Sequence, residues 1–205
     1  MGRFTDSGRV VAHRVFTPVA SLLLRLKISP DAVTVIGTVG TSVTALYFYP
    51  RGDFFVGTLV ICLFVFSDSL DGTMARLAGR SSTWGAFLDS TLDRVADAAI
   101  FCGIALWFTG EGDDPTMAVV TLAALVGGLL VSYARARAEG LGATASVGIA
   151  ERTERLVLTL VAAGLSGLFD APWLLDAALW VVAVLSWVTV VQRLWVVRRQ
   201  LLVPR

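Results

Sequence analysis

Long apolar runs separated by short polar breaks recur from about residue 33 onward, each of the roughly 20 residues that a membrane-crossing helix needs. Ahead of them, residues 9 to 27 place Val11, Val15, Val19, Leu22, Leu23 and Leu26 at helical spacing, interleaved with Arg9, Arg14, Arg25 and Lys27. Pro18 is expected to kink that segment. It is too polar and too broken to span, and predicts an amphipathic helix in the membrane interface. Ser29-Pro30-Asp31 is a helix-start signal. The first span is predicted over residues 33 to 49, ending at Pro50-Arg51-Gly52-Asp53, and the second from Phe54 to near Gly79. Ser81, Ser82 or Thr83 caps the third, which continues to Phe108, and Asp114-Pro115 opens the fourth, which leaves the bilayer at Ser132-Tyr133. A Gly/Ala/Ser-rich loop over residues 140 to 150 precedes the fifth, from Glu151-Arg152 to Phe169-Asp170. Pro172 opens the sixth, which runs from Trp173 into Arg193, Arg198 and Arg199. The expected fold is an all-α integral membrane protein with six transmembrane helices. It forms a single domain over residues 1–205: an interfacial segment over 1–30 and a six-helix bundle over 31–205.

Composition agrees. Of the 205 residues, 56% are hydrophobic and 16% charged, against about 25% charged in a soluble domain. Mean hydropathy is +0.74. The net charge of +1 is uninformative, but its placement is not. With six spans both termini share one side, and of all Lys and Arg residues only Arg51 falls in the opposite loops, which carry Asp53, Glu111, Asp113, Asp114 and Asp170. The positive-inside rule then makes both termini, the junction of spans two and three with its aspartates, and the loop between spans four and five cytoplasmic. Nothing at the N-terminus resembles a signal peptide. Cys62 and Cys102 lie in apolar runs without metal or redox spacing and read as reduced thiols. His13 has no second histidine to complete a site, and Trp173, Trp180, Trp187 and Trp195 read as lipid-facing or interfacial aromatics.

The charges inside the apolar pattern carry the chemistry. Asp68, Asp71, Asp89 and Asp93 sit where spans two and three meet. The first pair is i, i+3 and the second i, i+4, so each pair shares a helix face, and antiparallel neighbours would bring the pairs together. Carboxylates at membrane depth cost several kcal/mol unless paired, which marks a functional site. Four hard oxygen donors suit one or two Mg2+ or Mn2+ ions. Gly72, Ala75 and Gly85 are small enough for two backbones to approach. Asp97 continues the Asp89–Asp93 face, as a helix–helix contact or a catalytic part.

The whole pattern, D68-x2-D71-G72-x2-A75-R76-x8-G85-x3-D89-x3-D93, resembles the signature of the CDP-alcohol phosphotransferase family. The six-span layout with an interfacial helix matches that family too. The resemblance implies transfer of a substituted phosphate from a CDP-linked lipid to an alcohol, with release of CMP. It makes Asp93 the general base and a partial metal contact, places Asp68, Asp71 and Asp89 on the metal, and puts Arg76 near the pyrophosphate. Thr34, in P30-x3-T, falls near the nucleotide, and Asp31 stands where many members carry Asn. The CDP-lipid set is thus Asp31, Thr34, Asp68, Asp71, Gly72, Ala75, Arg76 and Gly85. Arg76 and Arg80 also read as topology anchors.

Arginines gather at the cytoplasmic ends of spans four to six, and six bundled helices would bring these ends near the aspartates. Guanidinium forks suit a phosphate dianion, which favours a phosphorylated acceptor, although arginines collect at such ends for topology alone. The run from Ser132 to Gly140 with Glu151-Arg152-x2-Arg155 looks like the actinobacterial phosphatidylinositol phosphate synthases, which use inositol phosphate. That resemblance makes Ser132, Arg135, Arg137, Arg152, Arg155 and Arg193 the acceptor-phosphate candidates, with Arg137 and Arg155 foremost. It also implies a homodimer in the cell membrane, CDP-diacylglycerol and inositol phosphate as partners, and no nucleic acid. The alternative within the family is a glycerol phosphate acceptor. A cation channel or transporter, a different class, would need a polar path, and the far halves of the helices are almost wholly apolar.

Overall fold

The computed structural model describes residues 17–77, 82–149 and 151–202, without the side chains of 66–69, 71, 72, 75 and 76. All regular structure in the described residues is helical. After α1 (17–25) come α2 (Pro30–Phe48), a 3-10 turn (Tyr49–Arg51), α3 (Phe54–Leu77), α4 (Thr83–Thr109), α5 (Pro115–Glu139), α6 (Arg152–Phe169) and α7 (Trp173–Leu202). These bounds follow the sequence signals closely. Ser29 caps α2, its Oγ accepting the Ala32 N–H at 3.2 Å, with Pro30 in the first helical position. Asp114 caps α5 by accepting the Met117 N–H at 3.0 Å, and Pro115 again follows the cap. Beyond Ser132-Tyr133, where the fourth span is expected to leave the bilayer, α5 continues as helix to Glu139, because Ala134 to Glu139 are good helix formers and only Gly140 stops them. Three helical stretches in the described residues, Pro30–Arg51, Pro115–Glu139 and Trp173–Leu202, are long and apolar enough to cross a membrane, and α3 begins with a shorter apolar stretch, Phe54–Val65. This is an integral membrane protein.

The chain divides into two compact units. One holds the residues up to Val43 together with Val60–Ala96, and the other Thr44–Leu59 with Asp97–Arg205. In the first, α1 ends in a Schellman motif. Lys27 adopts φ 61°, its N–H donates to the Leu24 carbonyl at 3.0 Å, and the Ile28 N–H reaches back to Leu23 at 3.1 Å. The turn folds α1 onto its neighbours, so that Ala20, Val33 and Met74 are buried together, with Leu23, Leu24, Ile28 and Leu70 packed against them. Val19, Leu22 and Leu26 point outward, 44 to 63% exposed. The apolar stripe read from the sequence therefore splits, Leu23 turning to protein and the other three away from it. Arg9, Val11, His13, Arg14 and Val15 lie outside the described residues.

In the second unit small residues set the helix spacing. A Cβ on Gly103 would lie 2.6 Å from the Ala45 carbonyl oxygen, and one on Gly167 2.6 Å from the Phe55 amide nitrogen. Bare glycine faces are what let backbones approach where lipid supplies no hydrophobic drive. Tyr49, fully buried, shares a 2.9 Å hydrogen bond with Thr58, beside an edge-on Phe54–Trp107 contact at 4.9 Å. Gly103→Ala is expected to push the Ala45 segment aside, cost about 1–3 kcal/mol, and lower the melting temperature of the detergent-solubilised protein. Both cysteines are free, and the four tryptophans of α7 are exposed.

Candidate active site

The aspartates come from α3 and α4. Asp68 and Asp71 lie on helical backbone in the second half of α3, and their side chains, like those of Gly72, Ala75 and Arg76, fall outside those described; Arg80 lies outside the described residues altogether. Asp89 and Asp93 stand one turn apart in the first half of α4, Asp89 exposed and Asp93 half-buried. The Arg94 guanidinium lies 3.4 Å from an Asp93 carboxylate oxygen while donating to the Ser90 carbonyl.

The start of α4 brings two predicted nucleotide contacts together. Ser82 caps the helix, accepting the Gly85 N–H at 2.9 Å. A Cβ on Gly85 would lie 3.2 Å from Ser82 Oγ and 3.7 Å from Asp31 Oδ1. Asp31, at the N-terminus of α2, and the Ser82 cap of α4 thus stand close against the bare Gly85 backbone. Thr34, one turn along α2, is buried and donates to the Pro30 carbonyl at 3.2 Å.

The arginines belong to the second unit, and their surroundings differ. Arg155 is 5% exposed and its Nη2 points at the Gly128 carbonyl at 3.4 Å, the same oxygen that Ser132 Oγ meets at 3.3 Å. A Cβ on Gly128 would come within 3.1 Å of Arg155 Nε, so glycine is what admits the guanidinium between α5 and α6. Arg193, 2% exposed, donates to the Val147 carbonyl at 2.9 Å and the Val131 carbonyl at 2.6 Å. Arg152 Nε sits 3.2 and 3.3 Å from the two oxygens of buried Asp97. Asp97 is therefore a helix–helix contact, one turn along α4 from Asp93. Arg135 is exposed and pairs with Glu139 at 3.0 Å, and Arg137 is exposed. Gly128 and the Val131 and Val147 carbonyls escape a sequence reading, since only the fold shows which backbone oxygen a distant arginine meets.

Comparison with known proteins decides the family. The model of the CDP-alcohol phosphatidyltransferases matches residues 27–195. The chain belongs to the CDP-alcohol phosphatidyltransferase family. Among its members, the chain is 56% identical over 198 residues to a phosphatidylinositol phosphate synthase of Streptomyces avermitilis, covering 94% of this chain and 81% of that one. It is 48% identical to one of Cutibacterium acnes, covering 91% and 93%. Crystal structures of the Mycobacterium tuberculosis phosphatidylinositol phosphate synthase, 41% identical, superpose with a TM-score of 0.86. The one with CDP-DAG bound covers 90% of this chain and 94% of that one; the one in complex with manganese and citrate covers 89% and 88%. As a CDP-alcohol phosphatidyltransferase the chain is a membrane transferase of phospholipid synthesis that uses a divalent metal.

Proposed function

We infer that the protein transfers a phosphatidyl group from CDP-diacylglycerol to inositol phosphate, giving phosphatidylinositol phosphate and CMP, at the cytoplasmic face of the cell membrane. The observation that carries this reading is similarity along nearly the whole chain to phosphatidylinositol phosphate synthases, with the complete aspartate pattern in place. The apolar parts of α3, α4 and α6 supplement α2, α5 and α7 to make six spans behind the interfacial α1, in a single domain. The arginine bias puts both termini inside. The homodimer is what the family resemblance implies.

Four carboxylates at i, i+3 on α3 and i, i+4 on α4 are an all-oxygen donor set of the kind Mg2+ or Mn2+ takes, and this donor chemistry fits one or two such ions. Asp68, Asp71 and Asp89 hold the metal, with Asp93 touching it in part; when bound it neutralises charge on the diphosphate and on departing CMP. Asp31, Thr34, Gly72, Ala75, Arg76 and Gly85 seat the nucleotide, its flat pyrimidine lying against the small residues. The acceptor hydroxyl attacks the phosphorus that bears the diacylglycerol, the bond from that phosphorus to the CMP oxygen breaks, and Asp93 takes the hydroxyl proton. Ser132, Arg135, Arg137, Arg152, Arg155 and Arg193 form the acceptor-phosphate pocket, where buried Arg155 offers a charge that little water screens.

The test is turnover by purified protein with CDP-diacylglycerol, Mg2+ or Mn2+, and each acceptor in turn. CMP release and a phosphorylated inositol lipid are expected, with kcat/KM for glycerol phosphate at least about tenfold lower. Preference for glycerol phosphate would instead favour the family's other reading.

A further inference from the structure

The segment after α5 does not hang free. It runs antiparallel along α7 and is fastened at three levels. Gln200 exchanges hydrogen bonds with the Thr144 amide at 2.8 Å and carbonyl at 2.7 Å, Arg193 holds the Val147 carbonyl at 2.9 Å, and Thr189 Oγ1 accepts the Ile149 N–H at 3.3 Å. Between this strap and α7 lies a groove of about 490 Å³, lined by Val147, Ile149, Val191, Gln192, Trp195 and Val196. Gln192 is its one polar side chain, and Ile149, Val191 and Trp195 are more than half exposed.

The length of α7 sets the groove's depth. Its 30 residues rise about 45 Å, against a hydrocarbon core of about 30 Å. From Trp173 at one interface, roughly 20 residues bring Arg193 to the other, so Val191 and Trp195 straddle the edge of the hydrocarbon. One turn further, Arg198 and Arg199 continue the same face, since Val191, Trp195 and Arg198 follow one helical row and Gln192, Val196 and Arg199 the next. Both arginines are exposed, and the Arg199 guanidinium lies over the Trp195 ring at 4.9 Å. An apolar groove at the hydrocarbon edge with two exposed cations at its headgroup end is complementary to a lipid with a negative headgroup.

We propose that this groove is a binding site for an anionic phospholipid, an acyl chain lying between the strap and α7 and the headgroup phosphate held by Arg198 and Arg199. The groove lining and its two arginines include none of the residues assigned to metal, nucleotide or acceptor, Arg193 serving only to fasten the strap, and the inference stands on the groove, on these two cations and on the membrane placement of α7.

Trp195 is the reporter. The protein is reconstituted in phosphatidylcholine vesicles containing a minor fraction of acyl-brominated phosphatidylglycerol or, separately, acyl-brominated phosphatidylcholine. Quenching specific to the groove is the difference between wild type and Trp195→Phe. Brominated phosphatidylglycerol should quench Trp195 at a mole fraction about 25-fold lower than brominated phosphatidylcholine, from two arginines near the surface at roughly fivefold each. Arg198→Ala/Arg199→Ala should bring the two lipids to parity while CMP release in detergent persists, which shows the variant folded. Equal quenching of wild type by both lipids would overturn the proposal. So would protection of Trp195 from both lipids together with its crosslinking to a second copy, which would make the groove a subunit contact.

Discussion

Asp93→Asn is expected to abolish CMP release, by about 10²- to 10⁴-fold as for loss of a general base, while CDP-diacylglycerol binding stays within about twofold of wild type. Asparagine keeps the shape and one neutral oxygen donor but cannot accept the proton of the attacking hydroxyl. Asp93 sits inside α4, well away from either end and half-buried with Arg94 at 3.4 Å, and asparagine is close to isosteric with aspartate, so the substitution is expected to leave the helix intact. Single-turnover CMP release and equilibrium binding of the CDP-lipid separate the two quantities. Undiminished turnover would remove Asp93 from the role of base. A parallel loss of lipid binding would show that its chief part is holding the metal.

The second large effect is expected at Arg155. Arg155→Ala should raise KM for inositol phosphate by about 10- to 100-fold, the range of a lost charge-assisted hydrogen bond, with KM for CDP-diacylglycerol changed less than about threefold. The residue is almost fully enclosed, and its guanidinium occupies the space that Gly128 leaves open. Removal therefore also leaves a cavity, so the informative comparison is between the two substrates rather than the loss of rate alone. Equal rises in both KM values would mean that Arg155 braces α5 against α6 and does not meet the acceptor.

How far the sequence reveals this molecule depends on the range of each interaction. Helix ends are written locally, in Ser29-Pro30, Asp114-Pro115 and Gly140, and the predicted limits agree with α2, α5 and α6 to within a few residues. The aspartate pattern is equally local, since i, i+3 and i, i+4 spacings fix a face whatever the fold. The Schellman turn at Lys27 is not legible, because a lysine at positive φ carries no signal of the kind that glycine gives. Nor is the splitting of the α1 stripe, which depends on Val33 and Met74 arriving from other helices. The arginines are the clearest case. Five gathered at cationic helix ends, with Arg137 and Arg155 foremost, yet Arg152 meets a carboxylate, Arg193 meets two carbonyls, Arg135 pairs with Glu139 on the surface, and Arg155 is enclosed. Those distinctions come from partners up to 62 residues away in sequence. The approach of Asp31 to Gly85 is non-local in the same way, and it gives a place in the fold to two positions that the resemblance alone had joined.

The central claim is that carboxylates from α3 and α4 together capture a divalent ion. Electron paramagnetic resonance of Mn2+ titrated into purified protein with CDP-diacylglycerol tests it most directly. Wild type should remove free Mn2+ with saturation at one or two ions per chain, and Asp68→Asn/Asp89→Asn, with one ligand lost from each helix, should leave the free-ion signal undiminished. Uptake by that double variant equal to wild type would contradict the account.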